Sequence, residues 1–554
     1  MPRFAALDLG SNALRLRIVE AHAPPSGREQ LSLLPEAGSS FREVMSLRAP
    51  VRLGSEVFVT GRLAAASIGQ ACSALREFRD AMDNAKVDAY RATATSAVRE
   101  ASNGTTLVER ARREAGIELE VIEGVEEARL IHLAVIRRLA LSDRRALLVD
   151  VGGGSTELTY LDRGRNAFAM SLPVGTVRLL ETYLRGAKTV DRTRQKLLFE
   201  GVDRALAEAA PQLKKVPFEV VLGTGGSVDT LCELCPVKGG HAGYPRAVDV
   251  PLTKTLLGKL FGMTTDQRRD AFGLRPDRAD TIVPAASIFV RVAEMFKAPV
   301  IVAPGVGLKE GILEELVDKY FDRWDKESET RTVVDACVRL GHRYGFDQAH
   351  GELVAAFATS LFDDMADVHG LDERDRLLLR AAAVLHDVGD YVRYDGHHKH
   401  SYYLIQHSDI MGLTPDERAL VANIARYHRK SPPDASHPNF RELDKDARAK
   451  VRSLSAILRI ADALDREHLG KVKSVRAEVE ASKRRLTLHV IGDEERELEE
   501  WTVRAKSELL RDVFDLDVNI AGSITRPSSR AEPAAAPASQ RPPPVFSKEL
   551  SKEK

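Results

Sequence analysis

Two segments of the chain repeat one pattern, and the repetition limits the folds open to it. Residues 4–20 read FAALDLGSNALRLRIVE and residues 146–160 read ALLVDVGGGSTELTY. Each is an apolar run ending in an Asp, then a Gly-rich turn with small hydroxyl or amide side chains, then a second alternating run. That pattern specifies a strand, a tight turn and a returning strand. The backbone N–H groups of such a turn form a positively polarised cup suited to phosphate oxygens. An Asp beside the cup can hold a divalent cation or position a water. Two such hairpins, far apart in one chain, predict a duplicated domain that clamps phosphate between its halves.

At 554 residues the chain is long for one core, and three or four units are expected. Its 81 basic and 81 acidic residues balance. There is thus no bulk attraction to a nucleic-acid polymer or a membrane, and a polyanion has to be met by a local patch. Four cysteines (Cys72, Cys232, Cys235 and Cys337) are too few for a disulfide scaffold and suit a reducing cytosol. Cys232 and Cys235 have zinc-like spacing but no second Cys or His pair near them. The N-terminus has no basic stretch followed by a long apolar core, and nowhere do about 18 apolar residues run together. A cytoplasmic protein without a membrane span is expected.

The pattern changes along the chain. Residues 1–123 open with the first hairpin and alternate strands with helices. Within them, HAPPSG and PEAGSS read as loops on either side of one short strand. Residues 124–320 contain the second hairpin and again alternate strand and helix, with Gly-rich turns after the strands, which indicates an α/β fold. Residues 328–470 read as helices almost throughout. A small α+β region is expected over 471–522. The Pro-, Ala- and Ser-rich residues 523–554 cannot bury enough surface to order themselves and are expected to be a disordered tail.

The first turn, Asp8-Leu9-Gly10-Ser11-Asn12-Ala13, could by itself be an ordinary strand turn. The second is harder to dismiss. Gly152, Gly153 and Gly154 cost conformational entropy on ordering and offer no side chain to pack, which makes sense where a ligand approaches the backbone. Asp150 and Glu157 flank this loop and face one pocket if the hairpin closes. Two carboxylates beside phosphate oxygens imply Mg²⁺ or a similar hard ion. A third turn, Gly223-Thr224-Gly225-Gly226-Ser227, follows another apolar strand and reads either as a β–α turn or as a ligand-facing loop.

Together these residues resemble the Ppx/GppA phosphatase family of exopolyphosphatases and guanosine pentaphosphate phosphohydrolases. VRLG at 51–54, ATATSAVREASN at 92–103, GVEEARLI at 124–131, LPVGTVRL at 172–179 and PGVGLKEGIL at 304–313 follow that family's order. The resemblance covers residues 3–320 and implies the duplicated, ribonuclease H-like superfold of actin, sugar kinases and the Hsp70 ATPase. It also implies roles. Glu126 and Glu127 are adjacent on a helix start and cannot both face a cleft; by resemblance the second, Glu127, is the general base. Otherwise both are solvated acids at a helix N-terminus. Arg99 corresponds to a substrate-phosphate contact, with a surface ion pair to Glu100 or another acid as the simpler account. Asp8, Gly10, Ser11, Asn12, the three glycines, Ser155, Gly225 and Gly226 would cradle phosphate, and Asp150 and Glu157 would hold Mg²⁺. Ala13 stands where family members often carry a hydroxyl, at the expense of one hydrogen bond.

A second constellation lies in the helical half: His350, the adjacent pair His386-Asp387, and Asp462. This order resembles the all-helical HD metal-dependent phosphohydrolases, and implies an HD-like domain holding a divalent transition ion. His400 and His428 sit where extended HD families place extra ligands. The basic clusters Arg426, Arg429, Lys430 and His397-His398-Lys399-His400 could line a polyanion path or be solvated surface.

The expected activity is exopolyphosphatase: Mg²⁺-dependent release of terminal orthophosphate from inorganic polyphosphate. The alternative within the family is hydrolysis of the terminal 5′ phosphate of guanosine pentaphosphate. An alarmone or polyphosphate sensor and a sugar-kinase-like phosphotransferase are further alternatives. Glu127, Asp150 and Glu157 argue against the sensor, and the lack of a sugar-site signature argues against the kinase. Family members commonly dimerise through their C-terminal domains, so a homodimer is expected.

Overall fold

The protein is described by a computed structural model over residues 1–21, 41–241, 243–321, 326–492 and 496–521. The loops and strand expected between 22 and 40, and the tail expected at 523–554, lie outside the described residues.

The first lobe contains β1 (Arg3–Leu9), β2 (Leu14–Ala21), β3 (Phe41–Ala49), β4 (Ala89–Ala94) and β5 (Leu119–Val121), ordered β3-β2-β1-β4-β5. The second contains β6 (Arg145–Val151), β7 (Thr156–Asp162), β8 (Arg165–Leu172), β9 (Val220–Thr224), β10 (Ala247–Asp249) and β11 (Val300–Val302), ordered β10-β11-β9-β6-β7-β8. In each sheet a three-stranded antiparallel meander is extended by parallel strands, β4 and β5 in one, β9 and β11 in the other. The two lobes therefore repeat one topology, with β10 added at the edge of the second. The repeat extends to register: Asp8 pairs with Arg15 in the first hairpin, and Asp150 with Glu157 in the second.

β1, antiparallel to β2 and parallel to β4, is buried on both faces because helices cover the sheet on either side of it. Ala5, Leu7 and Leu9 face a core shared with the outer helix Ala65–Asn84. Phe4 and Ala6 face the opposite way, into a core between the two sheets. Two helices fill that space, and they are exchanged between lobes. Gly124–Arg138 follows β5 of the first lobe but packs on β7 and β8 of the second. Leu308–Tyr320 follows β11 of the second lobe but packs on β1 and β4 of the first. The two helices cross where a Cβ on Gly311 would stand 2.0 Å from the carbonyl oxygen of Leu130, so the crossing needs a glycine. Sequence order assigns Leu308–Tyr320 to a unit ending at 320; its packing assigns it to the first sheet.

The remaining described residues form a third domain. Helices from Lys326–Arg343 to Lys445–Ala463 make its body, followed by β12 (Val472–Glu480), β13 (Arg485–Gly492), the helices Glu497–Lys506 and Glu508–Phe514, and β14 (Asp517–Ala521). A boundary at 470 is not a boundary between cores. Val354, Leu385 and Ile457 of the helices share one core with Val475, Leu488 and Leu510 of the strand-rich end. This domain meets β8 of the second lobe, where Arg339 Nη1 donates to the Asn166 carbonyl at 3.4 Å. Among the described residues no helix is long and apolar enough to cross a membrane.

Candidate active site

The two hairpin turns face each other across a cavity of about 440 Å³. Asp8, Gly10, Ser11 and Asn12 line it from the first lobe, and Asp150, Gly152, Gly153, Ser155, Gly225 and Gly226 from the second. Glu127 enters from the first turn of the Gly124–Arg138 helix. One oxygen from each of Glu127, Asp150 and Glu157 falls within a cluster 4.8 Å across, and all three residues are buried. Glu126, one position earlier, turns the other way and pairs with Arg91 and Arg129. The helix start therefore sends the two adjacent acids in opposite directions.

The surroundings raise all three carboxyl groups. Burial lifts Glu127 well above the usual carboxylate range, and the nearby charges of Glu157 and Asp150 raise it further. Burial lifts Asp150 to about 6, against the pull of a hydrogen bond donated by the Thr224 hydroxyl. Glu157 rises to about 7 through burial and the charge of Asp150, opposed by the Ser155 and Ser171 hydroxyls. Oε2 of Glu127 and Oε2 of Glu157 are buried and have no hydrogen-bond partner. Orphaned acceptors among crowded carboxylates fit a hard divalent cation that prefers oxygen ligands.

Not every residue expected at the cavity lies there. Gly154 faces the other lobe: a Cβ on it would come 2.3 Å from Phe58 Cζ and 2.4 Å from Ser96 Oγ. A Cβ on Gly153 would likewise meet Ser11 Cβ at 2.8 Å, although Gly153 also lines the cavity. None of the three glycines has a positive φ. The triplet is thus a close-packing surface between lobes as much as a cradle. Arg99 does not line the cavity either. Its Nη1 donates to the Ile122 carbonyl at 2.6 Å and its Nε lies 3.9 Å from Glu123, while Glu100 pairs instead with Arg178. Arg99 ties down the segment that leads into the Glu127 helix. Its charge also opposes the rise of Glu127 and Glu157.

Several charged residues at the cavity were not among the expected site residues. Arg15, Arg48, Arg275, Arg278 and Lys309 bring positive charge to its wall. Four of them are already paired: Arg15 with Asp8 at 3.0 Å, Arg48 with Asp277 at 2.5 Å, Arg275 with Asp277 at 3.8 Å and Lys309 with Glu310 at 3.9 Å. Asp277 begins a latch across the cleft. It accepts from the Asn12 amide at 3.3 Å, and Asn12 in turn accepts from Arg52 Nε at 2.9 Å. Arg52 then makes a two-pronged pair with Asp280 at 2.9 and 3.1 Å. Asn12 thereby holds the lobes together while facing the cavity. Of these charged residues only Arg52, in VRLG at 51–54, and Lys309, in PGVGLKEGIL at 304–313, fall within the sequence motifs.

Cys232 and Cys235 are buried in the second lobe, and neither joins a cluster of metal-ligating groups among the described residues. In the third domain His350, His386, Asp387 and Asp462 do come together. His428 joins them. His400 does not, and His397, three residues earlier, points inward in its place. The basic cluster beside it is occupied: Arg426 lies over the rings of Tyr402 and Tyr427, and Arg429 over Tyr394.

Similarity to known proteins places the chain in a family. A sequence profile of the Ppx/GppA phosphatase family matches residues 35–320, and one for domain III of Ppx/GppA phosphatase matches residues 333–507. A guanosine-5′-triphosphate,3′-diphosphate pyrophosphatase of Vibrio cholerae is 27% identical over 534 residues, 95% of this chain and 98% of that one. A pyrophosphatase of the same name from Vibrio vulnificus is 27% identical over 77% of this chain and 81% of its own. Among solved structures, an exopolyphosphatase from Cytophaga hutchinsonii covers 57% of this chain and 98% of its own, with a TM-score of 0.50 at 24% identity, a likeness of fold. The chain belongs to the Ppx/GppA phosphatase family, an enzyme of the phosphoanhydride-hydrolase class.

Proposed function

We propose that the protein removes the terminal 5′ phosphate of guanosine pentaphosphate, with water as the acceptor and Mg²⁺ as the cation. The observation that carries the chemistry is the convergence of Glu127, Asp150 and Glu157 beside the two glycine turns. The choice of substrate follows the relative that spans nearly all of both chains, and displaces the exopolyphosphatase activity expected from sequence.

In this reading the backbone N–H groups of Ser11, Asn12, Gly153 and Ser155 hold the terminal phosphoryl group. The side chains of Arg15, Arg48 and Lys309 balance the charge of the phosphates behind it. Glu127 orients the attacking water and accepts its proton. A buried carboxyl suits that task because its affinity for a proton is already raised. Thr224 and Ser171 hold Asp150 and Glu157 in their rotamers. Those two carboxylates would ligate Mg²⁺, which supplies positive charge to the phosphoryl oxygens and relieves the repulsion among the three acids.

Side-by-side hydrolysis of guanosine pentaphosphate and long-chain polyphosphate with Mg²⁺ tests the substrate. The expected result is a higher kcat/KM for guanosine pentaphosphate. A higher value for polyphosphate would restore the exopolyphosphatase reading.

A further inference from the structure

Glu127 differs from its two acidic neighbours in how it is held. The Thr224 hydroxyl fixes Asp150, and the Ser171 hydroxyl fixes Glu157. Among the described residues no side chain donates a hydrogen bond to Glu127, and its Oε2 is buried without a partner. Its direction is therefore set by the first turn of its helix, Gly124–Arg138. The N-cap does not secure that turn, because the Glu123 side chain makes no capping hydrogen bond.

The turn is gripped from the side facing away from the cleft. Glu126 accepts two hydrogen bonds from Arg129, Nε to Oε2 at 2.6 Å and Nη2 to Oε1 at 2.8 Å. It accepts a third from Arg91 Nη2 at 3.1 Å. Both arginines also reach Glu315 of the exchanged helix Leu308–Tyr320. Arg91 Nη1 donates to its Oε1 at 3.2 Å, and Arg129 Nη2 donates to its Oε2. Two acids and two guanidinium groups thus close a ring that joins β4, the Glu127 helix and the exchanged helix. At its rim Arg91 makes a two-pronged pair with Glu120 at 2.9 and 3.0 Å, and Lys319 Nζ stands 2.6 Å from Glu315.

Glu315 is 3% exposed, and the side chains of Arg91, Glu126 and Arg129 are 17–18% exposed. Burial opposes the charge on both acids, yet Arg129 and Arg91 hold them below the ordinary carboxylate range, Glu315 at about 2. A buried ion network is a weak source of net stability, because desolvation offsets most of its attraction. What a guanidinium fork supplies is direction.

Direction is what Glu127 lacks among its own contacts. Successive side chains on an α-helix diverge by about 100°. With Glu126 clamped on one side, Glu127 is turned toward the cleft on the other. The opposite face of the turn leaves no slack. A Cβ on Gly124 would stand 2.4 Å from Cβ of Ser171, the residue whose hydroxyl holds Glu157. The helix start is wedged between the ion ring and β8.

We infer that Glu126, Arg129 and Glu315 are positioning residues for the general base: they clamp the rotation of the helix start and so fix where the Glu127 carboxylate stands in the cleft. None of the three lines the catalytic cavity; they border a separate cavity of about 590 Å³ behind the helix. The clamp rests on the reading of Glu127 as the base, and a double-mutant cycle tells the failure of one from the failure of the other.

Glu315→Gln keeps the shape of the side chain and removes the charge that Arg91 and Arg129 share. It is made in the wild type and in Glu127→Gln. Thermal melting checks folding, and kcat and KM are measured with the preferred of guanosine pentaphosphate and polyphosphate. In the wild-type background kcat is expected to fall on the order of 10–100-fold, the cost of misplacing a reacting group by about 1 Å, with KM within about threefold. In the Glu127→Gln background the same change is expected to move kcat by less than about twofold, since no base is left to misplace. Glu126→Gln takes the place of Glu315→Gln if the latter does not fold, with the same expectations. An equal loss in both backgrounds, or a folded variant with kcat within about twofold of the wild type, overturns the clamp. If Glu127→Gln alone keeps the wild-type rate, the base reading fails and the clamp falls with it.

Discussion

Gly154 of the second lobe and Phe58 of the first meet so closely that a Cβ on the glycine would stand 2.3 Å from the ring. The same ring carries the Arg178 guanidinium 4.1 Å from its centroid, and Arg178 Nε donates to the Gly154 carbonyl at 2.7 Å. The glycine turn is thereby locked to the opposite lobe by backbone and side chain together. Gly154→Ala is expected to destabilise the protein by about 1–3 kcal/mol, as overpacking does elsewhere. Phe58→Ala added to it should recover part of that loss, because the offending ring is gone. Chemical denaturation of both variants measures this, and strict additivity of the two losses would show that the contact does not matter.

Glu127→Gln keeps the shape of the side chain and removes its capacity to take a proton. Phosphate release should fall by about 10²–10⁴-fold, the range for loss of a positioned base. Binding of substrate, followed by calorimetry, should change little. A variant that keeps activity within a few-fold of the wild type would remove Glu127 from the base role.

Thr224→Val deletes the hydroxyl that donates to Asp150 and leaves a residue of similar size. Asp150 should then hold its proton more tightly and rotate more freely. The Mg²⁺ concentration for half-maximal activity is expected to rise about 10–100-fold, as for other outer-shell losses. The maximal rate at saturating Mg²⁺ should fall much less.

In protein stripped of divalent ions, Asp150 at about 6 and Glu157 at about 7 lie above the ordinary carboxyl range. The folded state therefore binds more protons than the unfolded state between about pH 4 and pH 7. Their contribution to stability is fully present below the unfolded values and is lost as pH rises through 6 and 7. The melting temperature with chelator should drop over that interval. Glu157→Gln should flatten part of the drop, and added Mg²⁺ should remove most of it. A pH profile identical in wild type and variant would exclude Glu157 as a source.

Much of the site was legible because strand periodicity is rigid. An Asp closing one strand and a Glu opening the returning one, with a short turn between, have to face each other, and Asp150 and Glu157 do. The direction of Glu127 was legible only through the family motif, since helix spacing alone cannot choose between adjacent acids. Gly154 was misread because a missing side chain looks the same whether a ligand or a phenylalanine takes its place. Arg99 was misplaced because a motif records which residue is kept, not which carbonyl it grips. The change from helices to strands near 470 marks a change of element, whereas a core boundary depends on contacts such as those joining Val354 to Val475. Within HHKH, the choice of His397 over His400 depended on where the helix begins, and His397 is its first residue.

The exchanged helix Leu308–Tyr320 has a consequence during synthesis. The inner face of β1, with Phe4 and Ala6, is covered by Leu308, Ile312 and Val317, some 300 positions later in the chain. At about 5–20 residues per second, a ribosome needs on the order of 15–60 s to deliver that cover. Until then the nascent N-terminal lobe displays an uncovered apolar sheet, a surface that holdase chaperones bind. A chain released before residue 308 would leave that sheet exposed for good.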